Sequence, residues 1–257
     1  MGIPMLDLDG RVALVTGAGA PGGIGMAAAR VLSQMGAEVA VAATSDRIHE
    51  RARELGGTAR GYVADLTDES QVRGLVASVL AHHGRIDILV NNAGMVSVGT
   101  ESESGRLADL SMTTWQAGLR RNLDSVFLTT REVLPGMTGR GWGRIVSVAS
   151  VTGPVMAMAH EAAYAAAKAG IVGLMRSVAL DEAANGVTAN TVAPGWIATG
   201  SQTEAEAVQG RRTPMGRSGT PEEVAGAIAW LCCPAAAYVT GQCLVVDGGN
   251  SIAEERG

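Results

Sequence analysis

Seven short apolar runs, separated by longer helical stretches, leave this chain few folds to choose from. The runs cover 12–16, 38–42, 59–63, 86–91, 144–148, 187–192 and 244–247. They are rich in Val, Ile and Ala, without the strict apolar–polar alternation of a strand that faces water on one side. Helical stretches fall near 23–35, 46–55, 68–83, 111–134, 161–185 and 221–233. Strands apolar on both faces, each followed by a helix, predict an α/β protein with a seven-stranded parallel sheet and helices on both faces. No repeat, low-complexity tract or Pro/Ser linker breaks the alternation, so one domain over 1–257 is expected, with its core at 11–249.

Local signals support several helix starts. Thr220-Pro221-Glu222-Glu223 offers a capping threonine, a proline in the first turn and a glutamate able to reach back. Asp68 and Glu69, after Thr67, suit the positive end of another helix, and Thr67 is compatible with a capping role. Two irregular stretches, 95–110 and 196–219, follow strand ends, where open α/β sheets gather ligands. Both are expected to lie over a site, the second as a polar cover.

Composition excludes several classes. Hydrophobic residues make up 47% and charged residues 18%, which fits a folded core and not a disordered chain. With a net charge of -5 the chain has no basic face for nucleic acid. Cys232 and Cys233 are adjacent and Cys243 is the third cysteine, so reduced thiols in a cytoplasmic protein are expected. The four histidines, 49, 82, 83 and 160, lie far along the sequence from the cysteines, and no metal site is expected. No basic segment followed by an apolar core opens the chain, and no clean run of about 20 apolar residues occurs. Neither a signal peptide nor a membrane span is expected.

Two local patterns carry chemistry. In the first, Gly17, Gly19, Gly22, Gly23 and Gly25 lie between the first strand and its helix. Without Cβ atoms, such a loop can come close to a pyrophosphate, whose charge then sits at the helix N-terminus. A tight turn would also want glycine. The second pattern is EAAYAAAKAG, where Tyr164 and Lys168 project from one face of an alanine-rich helix. A phenol with a pKa near 10 transfers protons poorly at neutral pH, and a nearby ammonium favours its phenolate form. Taken alone, the pair could simply be solvated. Ser150, just beyond the fifth strand, can hydrogen-bond a substrate oxygen and stabilise charge growing there; Ser147 competes for that role.

In order, these segments resemble a known family. TG…GIG at 16–25, NNAG at 91–94, Ser150, Tyr164-x-x-x-Lys168 and PG at 194–195 together are similar to short-chain dehydrogenases/reductases. The similarity runs from about Arg11 to Gly249 and looks closest to the 3-oxoacyl-acyl-carrier-protein reductase-like group. It implies a doubly wound Rossmann fold and hydride transfer between a nicotinamide and a ketone or secondary alcohol, with a 3-oxoacyl thioester among the candidates. Tyr164 would be the general acid/base. Lys168 would also bond the nicotinamide ribose, Ser150 would hold the substrate oxygen, and Asn122 would keep a water that passes protons to the lysine. Gly17, Gly19, Gly23, Ile24 and Gly25 would bind the cofactor phosphates, and Asp65 and Leu66 the adenine. Asn91, Ala93 and Gly94 would support the cofactor, their role as much structural as functional. Pro194, Gly195, Ile197 and Thr199 would hold the carboxamide. Family members are commonly tetramers that pair their long helices.

Two departures stand out. The glycine loop holds two residues more than the family's TGxxxGxG, and the interval from Ser150 to Tyr164 is one residue longer than is common. The family's acidic position at the end of the second strand is Ala43 here. Thr44, Ser45 and Arg47 can donate to a 2′-phosphate, which favours NADP(H) over NAD(H). Asp46 speaks against that, although Thr44-Ser45-Asp46 could equally cap the next helix. Met156, Met158, His160 and Trp196 could line a substrate pocket, but methionines are more often core filler. A sugar-nucleotide epimerase or dehydratase and a dinucleotide-sensing protein without turnover are the competing readings. The first usually carries a longer C-terminal domain, and the second often lacks the tyrosine or serine.

Overall fold

The computed structural model describes residues 3–94 and 104–254. Its strands are β1 (Val12–Thr16), β2 (Glu38–Ala43), β3 (Arg60–Val63), β4 (Ile88–Asn91), β5 (Gly143–Val148), β6 (Val187–Pro194) and β7 (Cys243–Val246). All pair in parallel, in the order β3-β2-β1-β4-β5-β6-β7. This is the seven-stranded, doubly wound Rossmann arrangement that the sequence leads one to expect. Between β1 and β4 the direction of winding reverses, so a crevice opens beyond their C-terminal ends.

Every residue of β1, β4, β5 and β6 is buried, which explains why these runs are apolar on both faces. The helices are α1 (Ile24–Gln34), α2 (Arg47–Leu55), α3 (Glu69–His83), α4 (Met112–Leu119), α5 (Ser125–Gly139), α6 (Ala162–Glu182), α7 (Glu204–Arg211) and α8 (Pro221–Cys232). On one face of the sheet, Ala28 and Leu32 of α1, Ile48 of α2 and Ile228 of α8 pack on Val15, Val41 and Val90. On the other, Val76 of α3, Val133 of α5 and Ile171 and Met175 of α6 pack on Leu14, Leu89 and Ile145. Alanines 27, 28 and 29 keep the α1 face short enough for close contact with sheet and α8.

Packing overrides sequence signals in several places. The stretch expected as one helix over 111–134 is α4, a wide π turn at Arg120–Asp124, and α5. Helix α5 runs through Pro135 to Gly139, because buried Val133 and Met137 hold both sides of the proline against the core. Strand β4 starts at Ile88 and not at 86, because Asp87 turns its carboxylate to the β1 backbone. There it accepts from Val12 N at 3.0 Å and from Arg85 at 2.7 Å. Asp68, not Thr67, caps α3, accepting from Ser70 N and Gln71 N, while Thr67 bonds back to Asp65. Asp46 precedes α2 without a side-chain cap. The segment 196–219 is not all irregular, since it contains α7.

Helix α6 with the 3-10 turn that follows it, Ala162–Asn185, is long and apolar enough to cross a membrane by length and composition, unlike anything expected from the sequence. Ala167, Ile171, Met175 and Ala179 bury one of its faces against the sheet, as in a core helix.

Candidate active site

The glycine loop fills the crevice between β1 and β4. Gly17 has φ +67°, and a Cβ there would lie 2.7 Å from Ala93 Cα. At Gly25 a Cβ would collide with the Asn92 amide and the Gly17 carbonyl. Both glycines are thus required by the approach of β4 to the loop, whatever binds in front of it. Asn92 locks that approach, donating to the carbonyls of Thr16 (3.2 Å) and Gly17 (3.0 Å). Gly23 starts α1 with no side-chain cap, which leaves the helix's positive end to be met by something else. Ile24 follows in the first turn, and Gly19 packs at the end of β2, where its Cβ would be 3.1 Å from that of Ala43. Pro21 and Gly22, in the longer loop, stand at the surface, and the Gly22 carbonyl accepts from Gly200 N at 3.3 Å.

Beyond β2, Thr44 and Arg47 are exposed and Ser45 is half-buried, with Arg47 Nε 3.4 Å from the Ser45 hydroxyl. Asp65 is exposed and Leu66 buried at the same edge of the sheet. Asn91 is wholly engaged within the core. Its amide donates to Thr130 and Ser147, and its oxygen accepts from Thr129 at 2.7 Å. Ser147, buried and directed to Met175 Sδ, cannot reach the crevice. That leaves Ser150.

Ser150 is held by an extension of the sheet. Ala149 N donates to Val192 O and Val151 N to Pro194 O, while the Ser150 hydroxyl accepts from Thr152 N at 3.1 Å. The following turn contains Gly153 at φ +104°, where a Cβ would strike the Ala165 carbonyl of α6. This close approach packs the Ser150 turn against the first turn of α6, which carries Tyr164. His160, just before the helix, has φ 68° and is the one non-glycine at positive φ among the described residues.

Lys168 is buried one turn below. Its Nζ donates to Val148 O at 3.0 Å and lies 5.5 Å from the Tyr164 ring centroid. With no carboxylate to offset its burial, its pKa is pushed down to about 8. The phenol departs from the expectation of a lowered pKa. Burial lifts Tyr164 above its ordinary value, the Ser150 hydrogen bond offsets part of that, and Glu161 and Glu206 add to the rise.

Asn122 sits in the π turn, a geometry that often marks functional positions. Its amide donates back to Gly118 O, and its oxygen is buried without a partner. A Cβ on Gly94, at φ +128°, would come 2.9 Å from that oxygen. Pro194 and Gly195 close β6, with a Gly195 Cβ excluded by Asp247 at 2.7 Å. Ile197 pairs with Gly219, and Thr199 meets Ser201 at 3.1 Å. Helix α7 follows, started by a capping box between Thr203 and Glu206. Of the pocket candidates, Met156 and Trp196 are half-buried and Met158 and His160 exposed. The stretch 95–103, part of the expected covering loop, lies outside the described residues.

A family model described as enoyl-(acyl carrier protein) reductase matches residues 17–251. The chain belongs to the short-chain dehydrogenase/reductase family. It is 39% identical over 249 residues to the 3-oxoacyl-acyl-carrier-protein reductase FabG of Vibrio cholerae, covering 95% of this chain and 98% of that one. It is also 39% identical over 246 residues to cis-4-hydroxycyclohexanecarboxylate dehydrogenase of Sinomonas cyclohexanicum, covering 93% and 96%. A solved structure assigned as a gluconate dehydrogenase of Agrobacterium tumefaciens superposes with a TM-score of 0.88 at 35% identity, covering 98% and 100%. This short-chain dehydrogenase/reductase is accordingly an enzyme of the class that interconverts alcohols and ketones. Among its described residues no group of three His, Cys, Asp or Glu is placed to hold a metal.

The crevice also fits the family's dinucleotide. An uncapped helix start, glycines packed tightly behind it, a buried ammonium bonded to one carbonyl, and an unpartnered buried amide oxygen all line one edge of the sheet. Sequence reading included Asn92 in the NNAG segment without giving it a role of its own, and missed Gly153 and α7. The Thr203-x-x-Glu206 spacing is the signal that could have revealed the helix.

Proposed function

We propose that this enzyme is an NADP(H)-dependent carbonyl reductase, reversible as an alcohol dehydrogenase, with Tyr164 as its general acid/base. One observation carries the reading: through Gly153 the Ser150 turn packs on the start of α6, which carries Tyr164, with Lys168 buried one turn further on.

Gly17, Gly19, Gly23, Ile24 and Gly25 would hold the phosphates, and Asp65 and Leu66 the adenine. Asn91, Ala93 and Gly94 shape the floor. Pro194, Gly195, Ile197 and Thr199 would hold the carboxamide. Ala43 in place of an acid, with Thr44, Ser45 and Arg47 beside it, supports a 2′-phosphate. When bound, the reduced nicotinamide supplies the hydride. Ser150 donates to the substrate oxygen and steadies the charge that builds there. Tyr164 gives that oxygen its proton, and the Ser150 hydroxyl works against the rise that burial imposes on the phenol's pKa. Lys168 binds the ribose and carries protons onward, and Asn122 offers its free oxygen to a water on that route.

The relatives named as 3-oxoacyl-acyl-carrier-protein reductases support a 3-oxoacyl thioester among the substrates. We further infer a single catalytic domain that works in the cytoplasm as a homotetramer. Its long helices would pair through outward apolar residues such as Phe127 and Leu180.

The test is a panel of ketones assayed by loss of absorbance from reduced coenzyme. Turnover with NADPH at least tenfold above NADH in kcat/KM is expected. No turnover of any carbonyl compound, despite coenzyme binding, would reject the reading in favour of a dinucleotide sensor.

A further inference from the structure

A short turn beyond the last strand touches three elements around the crevice. Asp247 follows the end of β7 and is half-buried beside the end of β6. Both of its carboxylate oxygens serve the turn itself. Oδ1 accepts from Gly249 N at 2.9 Å and Oδ2 from Ser251 N at 2.6 Å. Asn250 N donates to the Asp247 carbonyl at 3.2 Å and closes the turn. Gly248 and Gly249 make the bend, at φ +64° and +85°. A carboxylate that accepts from two amides holds so sharp a bend in one shape.

The three contacts reach different elements. The Asp247 Cα and Cβ pack directly on Gly195, in the stretch that would hold the carboxamide. The buried Asn250 amide meets Met156 Sδ at 3.5 Å. Met156 belongs to the Ser150 turn, where its N–H donates to Val151 O and its carbonyl accepts from Gly153 N, both at 2.8 Å. A methyl group on Gly248 would lie 3.4 Å from Met215 Cβ, and one on Gly249 would lie 3.3 Å from Pro214 Cγ. The covering stretch after α7 therefore rests on this turn. Ser150 and Lys168, by contrast, have anchors of their own in β6 and β5.

We propose that Asp247 is a positioning residue for the ketone: its carboxylate fixes the turn that spaces Met156, beside the Ser150 turn, from Met215 on the cover. This rests on the carbonyl-reductase reading above, because the ketone must dock between the Ser150 turn and the cover. Without the carboxylate, two N–H groups lose their acceptor and the bend relaxes. Met156 and Met215 then lose their common support, and the space between them is no longer held to one width. Substrate affinity falls, while the groups that perform the chemistry keep their anchors. Alanine at 247 retains the Cβ that packs on Gly195, so coenzyme binding is spared.

The experiment measures kcat and KM for a ketone that the wild type reduces, and the NADPH dissociation constant by fluorescence. The proteins are the wild type, Asp247→Ala, Asp247→Asn, Met215→Ala and the double variant Asp247→Ala with Met215→Ala. In Asp247→Ala, KM for the ketone should rise by about tenfold, with kcat and NADPH affinity each within about threefold. Asp247→Asn keeps one acceptor oxygen and should fall between. Met215→Ala should raise KM severalfold, and the double variant should rise by less than the product of the two single effects, because the turn acts through Met215. Met215 is 62% exposed, so its variant folds whatever becomes of the turn. A merely structural role would lower thermal stability and leave KM for the ketone unmoved, and that result overturns the inference. So does a fall in kcat at constant KM, an unchanged KM in Met215→Ala, or single effects that simply multiply. In each of these cases the wild type still reduces the ketone, so carbonyl reduction stands. A wild type that reduces no ketone would instead strike at the reductase reading, and this inference with it.

Discussion

Lys168 Nζ and the carbonyl of Val148 are joined by a 3.0 Å hydrogen bond that ties the middle of α6 to the end of β5. The bond satisfies one of three ammonium protons in a fully buried place, and the folded-state pKa is depressed to about 8 from 10.5. Between these values the unfolded chain holds a proton that the folded chain has released, so this lysine makes stability rise with pH from about 8 to about 10. The buried Cys232 thiol and Tyr164 phenol have raised pKa values and act in the opposite sense above about pH 9 to 10. Comparison with Lys168→Met isolates the lysine. The wild type should gain on the order of 2–3 kcal/mol relative to the variant between pH 7.5 and 10 in urea unfolding. A constant difference across that range would count against the depressed pKa.

Replacing Tyr164 by Phe should leave coenzyme affinity within about threefold and lower kcat by roughly 10²–10⁴-fold, the range expected for loss of general acid–base catalysis. Fluorescence titration with NADPH and steady-state rates give the two halves. Near-wild-type turnover would falsify the proton-donor role.

Coenzyme preference should answer to one position. Ala43→Asp puts a carboxylate at the end of β2, where it repels a 2′-phosphate and accepts from a 2′-hydroxyl. The NADPH-to-NADH ratio of kcat/KM should drop by about tenfold or more. If the ratio holds, discrimination lies elsewhere in the loop.

Gly153 offers a test of geometry apart from chemistry. Its φ of +104° and the Ala165 carbonyl leave no room for a methyl group. Gly153→Ala should cost about 1–3 kcal/mol, and kcat should fall at least tenfold as the Ser150 turn moves off α6. Crystals of the variant with Ser150 and Tyr164 still in place and full activity would show the approach to be dispensable.

Stability has its own marker at the opposite end of the sheet. The Asp87 carboxylate is fully buried between the Val12 amide, Arg85 at 2.7 Å and Arg140 at 3.6 Å. Asp87→Ala leaves the buried Val12 N–H and the Arg85 guanidinium without this acceptor and removes the carboxylate facing Arg140, and should cost roughly 2–4 kcal/mol. Denaturant titration of a coenzyme-free sample measures this, with kcat at 25 °C little changed.

Much of the architecture was legible because burial on both faces leaves a sequence signature. Runs such as Val12–Thr16 can belong only to a covered strand, and the Tyr164 and Lys168 spacing marks a shared helix face. What stayed hidden depends on distant partners. Nothing near Asn122 announces a π turn, and nothing near Pro135 says that core contacts on both sides will carry a helix past it. The same holds for Asn91, whose amide is consumed by Thr129, Thr130 and Ser147. The direction of the Tyr164 shift was missed for a related reason: helical spacing reveals that two side chains are neighbours, but not how dry their surroundings are. Ser147 and Ser150 are alike in residue type; the family pattern favours Ser150, and what the sequence does not show is that Ser147 turns into the core towards Met175.

Helix α6 presents Tyr164 in its first turn and, further along, Ile171 and Met175 on the face that fills the protein's interior. The proposed proton donor therefore shares the fixed setting of a helix whose other face is buried in the core. The corollary is a constraint on change. A substitution at Ile171 or Met175, two to three turns along α6, displaces Tyr164 along with the rod that bears it.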